Sequence, residues 1–180
     1  MKIKSTFRAA KLMIMSLMFC FCAFNANSQT AEEWLQRGET AYDNYDYQEA
    51  IECYEKVIKL KPDDAEAYFL MGVAYCYWNE QYEKAIECYK KVIELTPDNI
   101  FVYFNLGDTY LVWKQDYQKA IECYEKAIEL EPDYGYTYRS IGTVYLKSGN
   151  ISQAIEYYKK AAELGDEEAK QWLLDNGLSE

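Results

Sequence analysis

The sequence predicts an all-α fold, a solenoid of four stacked helix pairs closed by one last short helix. Three observations predict it. Gly38, Gly72, Gly107 and Gly142 recur at 34, 35 and 35 residues. Ala50, Ala85, Ala120 and Ala154 recur at 35, 35 and 34, and Pro62, Pro97 and Pro132 at 35 and 35. Around each glycine and each alanine the apolar residues fall at helical spacings, on one stripe of an amphipathic helix. A fixed period of this length marks stacked copies of one small unit, each unable to bury its apolar face alone.

The units align as 31–64, 65–99, 100–134 and 135–167. Unit one offers Trp34 and Gly38, then Ala50, Tyr54, Val57 and Ile58. Unit two repeats the stripe more fully, with Tyr68, Met71, Gly72 and Tyr75, then Ala85, Tyr89, Val92 and Ile93. Unit three carries Tyr103, Leu106, Gly107 and Tyr110, then Ala120, Tyr124, Ala127 and Ile128. Unit four carries Tyr138, Ile141, Gly142 and Tyr145, then Ala154, Tyr158 and Ala161. Glycine and alanine let two backbones approach. The aromatic four residues after each alanine is expected to fill the gap between neighbouring units. Each Pro-Asp step ends a helix, because proline disfavours helix in the residue before it, and a nearby Asp or Asn can cap the next. Glu52/Lys56, Glu87/Lys91, Glu122/Lys126 and Glu156/Lys160 are spaced i, i+4 and are expected to pair on the outer face, at about 0.2–0.5 kcal/mol each.

This Gly-Tyr, Ala, Tyr and Pro pattern resembles the tetratricopeptide repeat over residues 31–167. The resemblance implies a right-handed superhelix of antiparallel helix pairs, with a peptide or a partner helix held in the concave groove. Departures are informative. Arg37 replaces an apolar residue and Ala41 an aromatic, so unit one reads as an end cap. Units two and three carry one extra residue near Trp78 and Trp113, which predicts a longer turn or an extended first helix. Gly165-Asp166 stands where Pro-Asp would be. Residues 166–176, with Ala169, Trp172 and Leu173 on one face, read as a capping helix that Gly177 ends.

The first 28 residues differ from the rest. Lys2, Lys4, Arg8 and Lys11 precede a 13-residue apolar run from Leu12 to Phe24, and Ala26-Asn27-Ser28 supplies small residues for cleavage. That is the layout of a secretory signal peptide. An uncleaved anchor is the alternative, but the run is short for a span, which needs about 20 apolar residues. Lipidation at Cys20 or Cys22 is disfavoured by Phe19 and Phe21, where processing wants a small residue. The expectation is therefore an exported protein, periplasmic or secreted, most simply bacterial. Cleavage removes four positive charges and takes the net charge from −11 to −15. Such a chain repels phosphate backbones and anionic headgroups, so neither nucleic acid nor direct membrane binding is expected of the mature chain.

Cys53, Cys88 and Cys123 sit 35 apart at equivalent points of successive units. Stacked helices hold such points about 8–10 Å apart, beyond the ~7 Å Cα separation a disulfide tolerates. They read as packing residues. The chain has no histidine. This removes the commonest general base and metal ligand, along with Ser-His and Cys-His nucleophile pairs. No Cys-x-x-Cys and no glycine-rich phosphate loop occurs. Neither an enzyme nor a cofactor or metal site is expected.

What remains is a surface. The first helix of each unit has a second face, which the resemblance places in the concave groove. Unit one offers Leu35, Glu39 and Tyr42. Unit two offers Phe69, Val73 and Tyr77, with Cys76 beside them. Unit three offers Phe101, Phe104, Asn105, Asp108, Leu111 and Val112, although Phe69 and Phe104 equally suit packing between neighbouring first helices, as the resemblance implies. Unit four offers Tyr136, Arg139, Thr143, Leu146 and Lys147, read as a basic end opposite an acidic first unit. Relatives that grip a C-terminal carboxylate use Lys, Asn and Arg at positions occupied here by Leu35, Glu39, Val73, Phe101 and Asn105. Only Asn105 suits that chemistry, so an amphipathic helix or extended apolar peptide is the expected ligand. The competing expectations are self-association through the solenoid ends, using Trp172 and Leu173, and a small ligand in the aromatic groove.

Overall fold

The computed structural model describes residues 29–78, 80–113 and 115–178. The expected signal peptide, residues 1–28, lies outside the described residues. Among these, nine α-helices run in order: α1 Ala31–Asp43, α2 Tyr47–Leu60, α3 Ala65–Tyr77, α4 Tyr82–Leu95, α5 Ile100–Trp113, α6 Tyr117–Leu130, α7 Gly135–Lys147, α8 Ile151–Glu163 and α9 Glu167–Asp175. Each helix packs chiefly on the one before and the one after it. The result is four helix pairs in series and a closing helix, an all-α solenoid.

The helices begin where short polar side chains satisfy their free N–H groups. Thr30 and Glu33 form a reciprocal capping box at α1. Asp46, Asp64, Asp116, Asn150 and Asp166 each accept a backbone N–H three residues on. Each such cap contributes about 1 kcal/mol. In unit two the cap is Asp64, one residue beyond the Pro62-Asp63 step.

The glycine period has a single steric cause. A methyl group built on Gly38, Gly72, Gly107 or Gly142 would lie 2.5, 2.6, 2.7 or 2.8 Å from a ring carbon of Tyr54, Tyr89, Tyr124 or Tyr158. Those tyrosines were expected between units. Each instead seats against the glycine of its own pair, because only a bare Cα leaves room for a ring between helices this close.

The extra residue of units two and three is absorbed in two ways. In unit two the turn lengthens, from Tyr77 to Tyr82; in unit three α5 gains a residue. The same bond closes all four turns. The cap residue donates its N–H to the residue three after the glycine: Asp46 to Ala41, Gln81 to Tyr75, Asp116 to Tyr110 and Asn150 to Tyr145, at 2.9–3.1 Å. Just before each cap the backbone turns left-handed, at Tyr45, Glu80, Gln115 and Gly149, with φ of 62°, 53°, 49° and 83°. Only the last is glycine, the residue this conformation favours.

The outer charge rows differ from the expected i, i+4 pattern. Lys91, Lys126 and Lys160 reach forward to Glu94, Glu129 and Glu163 at i+3, at 2.8, 2.5 and 3.5 Å. Gln48 and Gln118 take Glu52 and Glu122 instead. Cys53, Cys76, Cys88 and Cys123 are free thiols. Burial pushes Cys88 and Cys123 up to about 12, so they stay protonated and serve as packing.

Both ends carry contacts outside the repeat pattern. Arg37, out of pattern for the repeat, bonds Glu49 of α2 at 2.5 Å and stacks on Trp34. At the far end Trp172 of α9 stacks on Tyr158 at 4.2 Å, and Ala169 and Leu173 are buried beneath it. Gly177 then turns left-handed and Leu178 returns its N–H to Leu173.

Candidate functional site

The first helices of successive units, α1, α3, α5 and α7, stand side by side and present their second faces together. The most exposed apolar side chains of this row, among the described residues, are Tyr77 at 62%, Phe101 at 59% and Val112 at 65%. Between units two and three the row opens into a cavity of about 220 Å³. Val73, Cys76, Tyr77, Asn105, Asp108 and Val112 of the second face line it, and so do Tyr82, Tyr89 and Thr109.

Tyr89, Tyr124 and Tyr158 make contacts with the groove face that helical periodicity misses. Their rings are core, and their buried hydroxyls meet side chains of the groove face. Tyr89 meets Cys76 Sγ at 3.7 Å, Tyr124 donates to Asp108 Oδ1 at 2.5 Å, and Tyr158 meets Thr143 at 2.9 Å. Desolvation raises the pKa of Tyr89 and Tyr124 well above the phenol range. The signal was present: all four positions are Tyr and none Phe, and a buried phenol needs a partner. Thr109, also core, ties Cys76 Sγ at 3.5 Å to the Asn105 carbonyl at 2.6 Å.

Asp108 occupies the floor. Solvent reaches it, yet protein surrounds it on most sides. Burial raises its carboxyl above the usual range, and the bond from Tyr124 partly offsets this. Asn105 commits one amide N–H to the Phe101 carbonyl at 2.8 Å and keeps its second N–H.

The other expected residues scatter around this centre. Tyr42 joins an aromatic group at the mouth, 5.4 Å from Tyr47 and 6.1 Å from Tyr77, with Tyr47 and Tyr77 stacked at 5.5 Å. Burial raises its phenol to about 12. Leu35 is half-buried against the first core, while Glu39 is exposed. Phe69 packs near Tyr89, 6.1 Å between centroids, and Leu111 is half-buried.

Two expectations are corrected. Phe104 is buried, 6% exposed, its ring covered by Tyr134 and Tyr136 at 5.6 and 5.3 Å; it supports the groove from beneath. Arg139 does not make a basic end. Its guanidinium bonds Asp166 at 3.0 Å and Glu168 at 2.9 Å and lies over Tyr136, so it fastens α9 to α7. Thr143 is half-buried and engaged by Tyr158. Among the described residues no three His, Cys, Asp or Glu side chains gather into a metal-holding group.

The repeat is matched independently of these contacts. A TPR repeat family matches residues 38–76 and 76–112, and a tetratricopeptide repeat family matches residues 98–167. No curated protein matches the chain. Among solved structures, a MamA crystal structure is 30% identical, with a TM-score of 0.73, covering 94% of this chain and 98% of that one. Another MamA protein is 34% identical over 78% of this chain and 75% of that one, with a TM-score of 0.69. MamA from Desulfovibrio magneticus RS-1 is 27% identical over 74% and 75%, with a TM-score of 0.68. The chain belongs to the tetratricopeptide repeat family and is a protein–protein interaction module.

Proposed function

We propose that this protein is an exported, non-catalytic adaptor that holds a segment of a cell-envelope partner in the groove of α1, α3, α5 and α7. One observation carries the reading: Tyr77 and Val112 project from adjoining first helices at the rim of a cavity, and Phe101 is exposed on the second of these helices. Grouped aromatic and aliphatic side chains on a solvent-facing surface favour a protein contact. The leader-like residues 1–28 support export. The test is capture of partners from the native host's envelope by the mature chain and by its Tyr77→Ala/Leu111→Ala double variant. Loss of the captured protein is expected. Equal capture by both rejects the groove.

A second reading is favoured by the C-terminal end. Leu174 is 56% exposed there, beside a cavity of about 370 Å³ lined by Lys159, Ala162, Leu173 and Leu178. End-to-end stacking of copies would cover it. Light scattering across a concentration series decides: a strict monomer at high concentration removes this reading.

A further inference from the structure

The groove floor holds a carboxylate that the repeat does not need. Glu39, Val73, Asp108 and Thr143 occupy the same place, one residue after the glycine, in successive units. Unit two folds with valine there. In unit four, Thr143 meets the hydroxyl of Tyr158 at 2.9 Å with no charge at all. Satisfying Tyr124 therefore does not require an acid. Asp108 nevertheless sits in a cavity walled by Val73, Tyr77, Tyr89 and Val112. Among the described residues no lysine or arginine pairs with it, and Arg139 is engaged by Asp166 and Glu168. Its one hydrogen bond there is the Tyr124 hydroxyl on Oδ1.

A carboxylate partly removed from water and lacking a cation is destabilising, and the remedy is a cation brought from outside. The surroundings suit one. Aromatic faces attract ammonium and guanidinium groups. The cavity, about 220 Å³, is several times the ~30 Å³ that one water occupies in the liquid, room for a long side chain. The net charge of −11 also draws a basic partner rather than an acidic one.

We propose that the groove's ligand is a protein segment bearing a lysine or arginine on an otherwise apolar face, with its cation on Asp108 and its aliphatic stem against Val73, Tyr77 and Val112. This rests on the groove reading above and adds the chemistry of its central contact.

The test uses a displayed library of amphipathic helical peptides with one position of the apolar face randomised, selected on the purified chain. Lysine or arginine is expected to dominate that position. A synthetic winner should bind Asp108→Asn at least ten-fold more weakly. Its analogue with the cation replaced by glutamine should lose the same factor on the unmodified chain and nothing further on the variant. Asn keeps an acceptor for Tyr124; Asp108→Thr, the residue unit four uses, replaces it if Asp108→Asn folds poorly by circular dichroism. Winners that are acidic or neutral, or indifferent to both variants, overturn the cation while leaving the groove standing, provided Tyr77→Ala/Leu111→Ala abolishes their binding. Winners indifferent to every variant, or no winners, overturn both readings.

Discussion

Replacing Gly107 by alanine tests the contact that builds every repeat. The added methyl would stand 2.7 Å from Tyr124 Cε1, 3.0 Å from Cζ and 3.1 Å from Cδ1. Carbon atoms settle at about 3.5–4.0 Å. The ring must therefore withdraw by close to 1 Å, and it is fully buried with its hydroxyl held on Asp108. Overpacking of this kind costs about 1–3 kcal/mol. Alanine regains about 0.8–1.0 kcal/mol of helix propensity over glycine. The net expectation is a loss of up to about 2 kcal/mol, or about 2–4 °C in Tm per kcal/mol for a chain of this size. Urea unfolding followed by circular dichroism at the helix band gives the change in midpoint. Gly107→Ala/Tyr124→Leu should recover stability relative to the sum of the two single changes, by at least about 0.5 kcal/mol. If Gly107→Ala exceeds the parent in stability, or the double variant shows no recovery, the glycine period is not set by the tyrosine ring and the packing argument is wrong.

Three further outcomes are expected. Gly149→Ala should lose about 1 kcal/mol with nothing within 4 Å to clash, because φ is +83° and the strain is purely in the backbone; an unchanged melting temperature refutes this. Thr137→Val should raise the melting temperature by the equivalent of about 1 kcal/mol. The Thr137 hydroxyl is buried with no hydrogen-bond partner, and units two and three place Ala67 and Val102 at the same position. Asp108→Asn should stabilise the free protein at neutral pH. The folded-state pKa of Asp108 is raised, so its contribution to stability is full below the ordinary carboxylate pKa and is lost as pH rises through the raised value. The gain from Asn should therefore shrink below about pH 4, and chemical denaturation at pH 3.5 and 7 checks the sign.

The helices, their order and their pairing were legible in the chain because a solenoid makes each unit contact only its neighbours. Local periodicity is then nearly the whole of the fold. Ala169, Trp172 and Leu173 foretold the closing helix for the same reason. The groove was legible only as a face. Periodicity placed Val73, Tyr77, Asn105 and Asp108 on it, and the structure gathers these four around one cavity.

The charge pattern and the depth of each side chain needed three dimensions. Arg139 reads as a free cation until Asp166 and Glu168 arrive from α9, 27 and 29 residues later. Phe104 reads as groove surface until Tyr134 and Tyr136 of the next unit cover it. Tyr89 and Tyr124 read as pure core, since no helical stripe reports how far a ring reaches past a glycine on the opposite helix. By itself, the sequence determined a stack of helix pairs with an apolar inner face. Only the tertiary structure decided which charges meet and which side chains the buried hydroxyls bond. The physical reason is that hydrophobic periodicity is a property of one helix, whereas the partner of a buried polar group is chosen by the packing of two or three.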